Sequence, residues 1–305
     1  MLKQITDKVL MVRPRHFRMN EQTAVNNYYQ LAMIGEEAAD KQCLTEFDAF
    51  VSALRGRGVE VIVVEDLDDR DTPDSIFPNN WISFHDNVIV TYPMYAANRR
   101  LERREDIIVS FGDNLSRISL EHFENDGLFL EGTGSMVLDR VGKVAYASIS
   151  ERTSESLVRK WCDIMSFEPC FFHSFQRTEA GRRPVYHTNV VMSIGTEWAI
   201  ICSAAIDDEQ EREHVLSKLS ENRVCIDISE DAMDGFGGNI LELQSSDDKK
   251  SLIMSTAAFS SLNGWMPELS KYAEPLVVDI ATIERAGGGS ARCMLAEVFL
   301  FSHEF

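Results

Sequence analysis

The stretch FPNNWISF, residues 77–84, joins a turn with two amides to a short apolar strand, and four later stretches repeat this arrangement. They are FLEGTGSMVL (129–138), VYHTNVVMSI (185–194), GFGGNILEL (235–243) and ARCMLAEVFL (291–300). One polar residue precedes each strand, and these residues are Asn80, Glu131, His187, Asn239 and Cys293. Successive members of this set are separated by 51, 56, 52 and 54 positions. A regular spacing of this length indicates an internal repeat.

Strands and helices alternate around these stretches. Runs with period-2 or β-branched patterns predict strands at 59–65, 87–93, 143–149, 197–203 and 250–256, with a further strand near 9–12. Apolar residues at three- and four-residue spacing predict helices at 22–56, 98–109, 153–165, 207–220 and 258–271. The alternation predicts an α/β fold.

Five similar units that close into a ring would bring the five polar residues to one central place. The strand near 9–12 would then complete the unit that ends at the C-terminus. No Pro/Gly/Ser linker separates two regions, so we expect a single domain over residues 1–305. The alternative is that strands and helices simply alternate at intervals of about 50 residues, as they do in many α/β proteins.

Composition restricts the classes of partner. Thirty basic and 49 acidic residues give a formal charge of −19, which repels nucleic acid and anionic membrane surfaces. The sequence begins without the apolar stretch of a secretory signal and has no long apolar run, so we expect a cytoplasmic protein. Six cysteines without metal-ligand spacing predict neither disulfides nor a metal site.

Three of the five repeated positions suggest nucleophilic catalysis. Such chemistry needs a thiolate, a group that moves protons and a group that orients it, and Cys293, His187 and Glu131 supply these. The glycines at 287–289 would let the backbone approach a ligand, and Arg292 would lower the pKa of the thiol. Taken singly, a buried cysteine, a structural histidine and a turn carboxylate are the ordinary interpretations.

The sequence resembles the guanidino-group modifying enzymes, the pentein superfamily of arginine deiminases, dimethylarginine dimethylaminohydrolases and amidinotransferases. It is most similar to the citrulline-utilisation hydrolase branch. The resemblance rests on an ordered set of motifs that spans nearly the whole chain: VRP (12–14), FPNNW (77–81), NRRLERR (98–104), LEGTGSMVLDR (130–140), HTNV (187–190) and GGGSARCM (287–294).

The resemblance implies a five-bladed α/β propeller with pseudo-fivefold ββαβ repeats around a narrow central site. It implies Cys293 as the nucleophile, His187 as general acid/base and Glu131 as the carboxylate partner of His187. The expected reaction proceeds through a covalent thio-intermediate and needs neither a metal nor an organic cofactor. The expected partner is a small amino acid substrate, and the sequence does not decide between a monomer and a homo-oligomer.

Two amides and a serine distinguish this chain from arginine deiminases and related hydrolases. Those enzymes resemble one another in holding the guanidinium with aspartates where this chain has Asn80 and Asn189, and Ser135 replaces a further Asp of the related hydrolases. Asn239 is the fourth ring residue. A neutral ureido group suits amides better than a cation does, which favours hydrolysis of citrulline to ornithine, ammonia and carbon dioxide.

We expect arginine side chains to bind the α-carboxylate of the substrate, because a guanidinium can donate two hydrogen bonds to a carboxylate. By similarity to methylarginine hydrolases we nominate Arg99 and Arg152, although spacing does not decide between Arg99, Arg100 and Arg103. The main alternative is hydrolysis of arginine or methylarginine. A non-catalytic amino-acid-binding module is a second alternative, and the sequence shows no sign of the second amine site that an amidinotransferase needs.

Overall fold

Short strands alternate with short helices through residues 3–31, 36–112 and 114–300, the part of the chain that the computed structural model describes. The strands are β1 Lys8–Arg13, β2 Glu60–Glu65, β3 Ile82–His85, β4 Val88–Thr91, β5 Ser116–Ser119, β6 Val137–Asp139, β7 Val144–Ser148, β8 Glu168–Phe172, β9 Phe175–Thr178, β10 Gly181–Pro184, β11 Met192–Ile194, β12 Trp198–Ile201, β13 Val224–Asp227, β14 Leu241–Gln244, β15 Lys250–Ser255, β16 Glu274–Val278 and β17 Ala296–Glu297.

The helices are mostly one to three turns long. They are α1 Glu36–Gly56, α2 Glu105–Ser110, α3 Gly132–Ser135, α4 Glu155–Met165, α5 Thr188–Val191, α6 Glu209–Ser220, α7 Glu230–Asp234, α8 Thr256–Ser261, α9 Met266–Leu269 and α10 Ala281–Gly287. Turns of 3-10 helix lie at Pro78–Asn80, Asn98–Glu102, Glu121–Asp126, Ser203–Ala205 and Ala291–Met294. None of the helices so described is both long and apolar enough to cross a membrane.

Five three-stranded sheets share one strand order. Their middle strand pairs antiparallel with one neighbour and parallel with the other. The orders are β17-β1-β2, β3-β4-β5, β6-β7-β8, β11-β12-β13 and β14-β15-β16. β9 and β10 form a separate hairpin, and the strands in the described ranges form no closed sheet. The chain therefore has a mixed α/β fold, as predicted.

The first and last sheet strands in the chain belong to the same sheet. Val9 of β1 lies opposite Glu297 of β17, and Leu10 lies opposite Ala296. This confirms the predicted pairing of the N-terminal strand with the C-terminal unit. β17 also contacts β3, while β11 contacts both β6 and β14. The antiparallel first strands of these sheets are thus neighbours in space in three cases, which places the residues that precede them close together.

The core is built from the apolar faces of these sheets and the helices on them. Trp81, Trp161 and Trp198 are almost completely buried. α4 buries Leu157, Val158, Trp161 and Cys162 and begins after Ser154, so its apolar residues recur at helical spacing on one face. Burial of these faces fixes each helix against its sheet.

The predicted helix over residues 22–56 is shorter in the structure. Its described part is α1, and residues 21–26 form turns instead. The hydroxyl of Thr23 donates to the backbone oxygen of Asn20, and the side chain of Asn27 accepts from the backbone N–H of Tyr29. Such side-chain bonds to nearby backbone compete with helix formation, and hydrophobic spacing does not reveal them.

Two other predicted helices are interrupted. Residues 98–109 form a 3-10 turn and α2, because Arg103 and Arg104 between them have extended backbone angles. Both arginine side chains donate to backbone oxygens of neighbouring strand segments, at Tyr92 and Glu65. The prediction over 258–271 becomes α8 and α9, with Pro267 at the start of α9. Tertiary contacts and proline thus override the apolar spacing.

Candidate active site

Short helical turns carry the predicted site residues into the interior. Glu131 directly precedes α3, His187 directly precedes α5, and Cys293 lies in the last 3-10 turn. Asn80 closes the first 3-10 turn, and Asn239 lies two residues before β14. All five side chains belong to residues that are at most 3% exposed.

These turns pack against one another and form a small pocket. The turn 78–80 contacts both α3 and the turn 291–294, and α3 contacts α5. We call the resulting cavity the Cys293 pocket. It is lined by Asn27, Asp74, Phe77, Asn80, Arg99, Arg152, Tyr186, His187, Gly287, Gly289 and Cys293. The thiol and the imidazole therefore reach one cavity from segments about a hundred residues apart in the chain.

The thiol of Cys293 lies between two amides. Its Sγ is 3.2 Å from Nδ2 of Asn239 and 3.6 Å from Nδ2 of Asn189. Burial raises the pKa of this thiol, while hydrogen bonds from the Ser290 backbone and the two amides act in the opposite direction. The predicted lowering by Arg292 is a minor contribution, and burial outweighs it. The resting thiol is therefore protonated, and the amides would stabilise a thiolate once it forms.

A buried carboxylate orients the imidazole. Nε2 of His187 is 2.8 Å from Oε2 of Glu131, whose Oε1 accepts a hydrogen bond from the Tyr95 backbone at 3.0 Å. Burial lowers the pKa of His187 to about 4, against the opposing influence of Glu131. Burial alone would raise the pKa of Glu131, but Arg152, His187 and Arg99 together lower it to about 2. A neutral imidazole therefore donates to a carboxylate, which leaves Nδ1 free to accept a proton.

Arg99 lies at the centre of a buried polar cluster. Its Nε and Nη2 donate to the two oxygens of Glu102 at 2.8 and 2.9 Å, and its Nη1 donates to Oδ1 of Asn80 at 2.7 Å. Burial opposes the charged guanidinium, but Glu102 and Asp74 outweigh burial and raise the pKa of Arg99. Burial raises the pKa of Glu102, and its contact with Arg99 works in the opposite direction. Of the Arg99 nitrogens, only Nη1 has a hydrogen that no described residue accepts.

Arg152 is fixed from one side and open on the other. Its Nε donates to Oδ1 of Asn26 at 2.9 Å, and its Nη2 donates to the backbone oxygen of Thr23 at 2.9 Å. The guanidinium carbon is 5.0 Å from the centre of the Tyr186 ring. Nη1 makes no hydrogen bond within the described residues and lies 3.6 Å from the carboxylate of Glu131. Of the two nominated arginines, Arg152 thus has the more available donors.

Asp74 is a pocket residue that the sequence analysis missed. It is 2% exposed, and its Oδ2 accepts from Asn20 and Thr23 at 2.8 and 3.1 Å. Its Oδ1 is buried and has no hydrogen-bond partner among the described residues. Its position three residues before Phe77 was the available signal, but an acid in a turn-like stretch is usually exposed. The sequence analysis also did not single out Asn27, which fell in the predicted helix 22–56, or Tyr186.

Three residues predicted to bind substrate occupy other positions. Ser135 does not line the Cys293 pocket; its hydroxyl accepts from the Glu131 backbone at 2.8 Å and donates to the Arg152 backbone at 2.9 Å. Asn189 and Asn239 also do not line the pocket and instead contact the sulfur. In the structure Ser135 joins two backbone segments and the two amides lie beside the thiol, and their contact with substrate stays a prediction. Spacing alone could not give the direction in which each side chain points.

Glycines allow the segments that carry His187, Asn80 and Cys293 to approach one another. A Cβ on Gly134 would lie 2.8 Å from the ring of His187, and a Cβ on Gly289 would lie 3.0 Å from the ring of Phe77 and 3.2 Å from Cβ of Cys293. Gly288 has a φ of +66°, which favours glycine. The run GGGS is therefore a closely packed wall of the pocket, consistent with the expectation that side chains there would obstruct a ligand.

The family model described as N,N dimethylarginine dimethylhydrolase, eukaryotic, matches residues 13–300. No curated protein sequence matches the chain.

Several solved structures share the fold at low sequence identity. The N-terminal domain of ArgZ, an arginine dihydrolase of the ornithine-ammonia cycle in cyanobacteria, has a TM-score of 0.71 at 15% identity over 96% of this chain and 98% of that chain. A dimethylarginine dimethylaminohydrolase variant with an S-methyl-L-thiocitrulline adduct has a TM-score of 0.66 at 16% identity, over 97% of this chain and 100% of that chain. Unliganded AgrE has a TM-score of 0.73 at 18% identity over 97% of this chain. The chain spans only 39% of full-length ArgZ and 40% of AgrE.

Proposed function

The chain belongs to the N,N dimethylarginine dimethylhydrolase family within the guanidino-group modifying (pentein) superfamily, and on that premise we propose a cysteine-dependent hydrolase of a guanidino amino acid. The family relates it to hydrolases of C–N bonds in arginine derivatives. The observation that carries the proposal is the Cys293 pocket, where a thiol, a carboxylate-bound imidazole and the unpaired oxygen of Asp74 meet.

The charge of the pocket supports a cationic substrate over citrulline. Asp74 lines the pocket, and its buried Oδ1 has no hydrogen-bond partner among the described residues. Glu102 and Glu131 instead bind Arg99 and His187. The guanidinium of arginine or methylarginine would supply a cationic donor to Asp74, whereas the ureido group of citrulline is neutral. We therefore favour arginine or an N-methylated arginine, in place of the citrulline that the amides alone suggested.

The proposed reaction begins with a proton transfer. A bound guanidinium beside Sγ of Cys293 would favour the thiolate, which then attacks the guanidino carbon. His187 would take up the thiol proton at Nδ1 and pass it to the departing ammonia or methylamine, which leaves an S-amidino cysteine. The neutral imidazole would next accept a proton from water, and the resulting hydroxide would break the C–S bond. The product is citrulline and the thiol is regenerated. By this account the thiol of Cys293 is protonated in the free protein, and the bound substrate supplies the positive charge that favours its ionisation.

The pocket residues divide into proposed roles. Arg152, with its available Nη1, would bind the substrate α-carboxylate, assisted by the remaining Nη1 hydrogen of Arg99. Asp74 would bind one of the two cationic groups of the substrate. Asn189 and Asn239 would stabilise the thiolate, and Ser135 would hold the backbone that carries Glu131.

We further propose that residues 1–305 form a single domain arranged as a five-bladed α/β propeller. The shared strand order of five sheets supports this, as do the contacts of β17 with β3 and of β11 with β6 and β14. The Cys293 pocket would then lie at one end of the propeller axis. Such an arrangement would bring the five regularly spaced residues together, three of them in the pocket lining and Glu131 and Asn239 in contact with the imidazole and the thiol.

The test is a substrate panel. Purified protein is incubated with L-arginine, asymmetric dimethylarginine and L-citrulline, and ammonia, dimethylamine, citrulline and ornithine are measured, with the variant Cys293→Ser as the control for covalent catalysis. We expect turnover of arginine or dimethylarginine and none by Cys293→Ser. Turnover of citrulline alone would restore the ureido interpretation, and binding without any turnover would indicate an amino-acid-binding module.

A further inference from the structure

A second, larger cavity lies between three of the sheets and shares no lining residue with the Cys293 pocket. Its volume is about 750 Å³, within the range of sites for small organic ligands. Its wall combines β3–β4, the segment around Arg140 and the segment that follows β17. Apolar side chains form part of it, including Ile118, Ile164 and Phe167.

Arg140 is a buried cation at this cavity with few partners. It is 7% exposed, and its guanidinium makes no ion pair with a carboxylate in the described parts of the chain. Burial lowers the pKa of Arg140, and Glu297, which does not line this cavity, is the first of the charged groups that act in the opposite direction. Nη1 of Arg140 lies 3.0 Å from Nδ1 of His85, and its guanidinium carbon lies 3.8 Å from the centre of the Phe299 ring. These contacts use one nitrogen and one face of the guanidinium. A buried cation of this kind is costly unless an anion compensates it.

The imidazole beside Arg140 cannot supply that compensation. Nε2 of His85 lies 2.7 Å from the hydroxyl of Ser83, which lies 2.6 Å from the hydroxyl of Tyr92. Burial, followed by the nearby positive charges of Arg140 and Lys143, lowers the pKa of His85. The ring is therefore neutral and accepts from Arg140 at Nδ1. The Nε and Nη2 hydrogens of Arg140 remain available for a planar anion.

The other charges at the cavity limit the charge of its ligand. Lys8 pairs with Glu60 at 2.9 Å. The remaining wall charges, Lys3, Lys143 and Arg140 against Asp7 and Asp86, leave one positive charge in a chain whose formal charge is −19. A singly charged anion fits this balance better than a phosphate with two charges does.

We propose that this cavity is a second binding site, which takes a small organic molecule with one carboxylate and an apolar body. The carboxylate binds the free N–H edge of Arg140, and the body lies against Ile118, Ile164 and Phe167. This inference is independent of the proposed reaction, because the two cavities have separate walls.

The test measures binding of a probe pair by calorimetry on the full chain. The probes are 4-phenylbutyrate and its uncharged analogue 4-phenylbutyramide, which share an apolar body and differ in charge. We expect the acid to bind at one site at least tenfold more tightly than the amide, because only the acid forms charge-assisted hydrogen bonds with the guanidinium. Saturating L-arginine should leave this binding unchanged.

Three variants locate the site. Arg140→Met should weaken binding of the acid at least tenfold and leave the amide unaffected, while Ile164→Trp, which fills the apolar part, should weaken both. Arg159→Met, at an exposed arginine of α4, is the matched control and should bind as the unmodified chain does. Far-UV circular dichroism reports whether each variant folds. If Arg140→Met does not fold, the difference between the two probes and the effect of Ile164→Trp test the proposed site.

Several results would overturn the proposal of a second binding site at Arg140. They are equal affinity for the acid and the amide, unchanged binding by Arg140→Met or Ile164→Trp, or displacement of the acid by L-arginine or by inorganic phosphate.

Discussion

At the scale of single residues, Asp74 determines the charge that the Cys293 pocket presents to a ligand. Its Oδ1 is the only buried carboxylate oxygen in the described chain that lacks a hydrogen-bond partner. The neighbouring guanidinium of Arg99, by contrast, is bound by Glu102 and Asn80. A ligand cation would complete this network.

Asp74→Asn should therefore separate cationic from neutral substrates. We expect kcat/KM for arginine or dimethylarginine to fall about 10- to 100-fold, in line with the loss of roughly 1.5–3 kcal/mol for a hydrogen bond to a charged group. Activity towards citrulline, if present, should change less. Steady-state kinetics on the substrate panel measure this, with Asp71→Asn, an exposed carboxylate paired with Arg18, as the control. Equal losses on charged and neutral substrates would contradict the electrostatic role.

The thiol of Cys293 should titrate above its ordinary range in the free protein. Because burial raises its pKa, the thiol is neutral at pH 7 and ionises only as the pH rises through that elevated pKa. The ultraviolet absorbance of the thiolate, taken as the difference between the unmodified chain and Cys293→Ser, measures the titration. Asn239→Ala should raise the pKa further, because it removes the amide donor to Sγ.

A cationic ligand that is not turned over should lower the same pKa. A thiol that is already ionised at neutral pH without ligand would contradict ionisation by the substrate.

At the scale of secondary-structure elements, the site depends on one-turn helices that begin immediately after a proposed catalytic residue. α3 follows Glu131 and α5 follows His187, so each side chain projects from the start of a turn that packs on the next. Gly134 makes the contact between these two turns possible, since any side chain there would meet the imidazole and the amide of Asn80.

Gly134→Ala should consequently impair catalysis with little loss of fold. The added Cβ would lie 2.8 Å from the His187 ring and 2.5 Å from Nδ2 of Asn80, so the ring must move from Glu131. We expect kcat to fall at least 100-fold while thermal unfolding shifts by only a few degrees. Gly264→Ala, where a Cβ would meet nothing within 4 Å, is the matched control. Full activity of Gly134→Ala would show that the imidazole position is not critical.

Element boundaries were predictable only where local pattern and tertiary contacts agree. The helix predicted at 153–165 appears as α4 and that at 207–220 as α6, because their apolar faces pack directly on the sheets. The helices predicted at 22–56 and 98–109 are shortened or broken by side-chain bonds to backbone. Apolar spacing carries no information about those bonds.

At the scale of the whole molecule, the spacing of five polar residues was the most informative feature of the sequence. It led to Cys293, His187 and Glu131, because a repeat places its equivalent positions together wherever the units pack side by side. It could not reveal Asp74, which has no counterpart in the repeat, and it could not show that Asn189 and Asn239 face the sulfur. The proposed preference for a cationic substrate over citrulline rests on those unpredicted details.

The most direct test of the account is intact-mass and peptide mass spectrometry of the full chain during turnover of L-arginine. Acid quenching during turnover should trap an amidino adduct, and His187→Asn should slow both its formation and its hydrolysis, because His187 protonates the leaving amine and deprotonates water. The account predicts this adduct on the peptide that contains Cys293, on none of the other five cysteines, and not in Cys293→Ser. Turnover by Cys293→Ser, or an adduct on another cysteine, would contradict it.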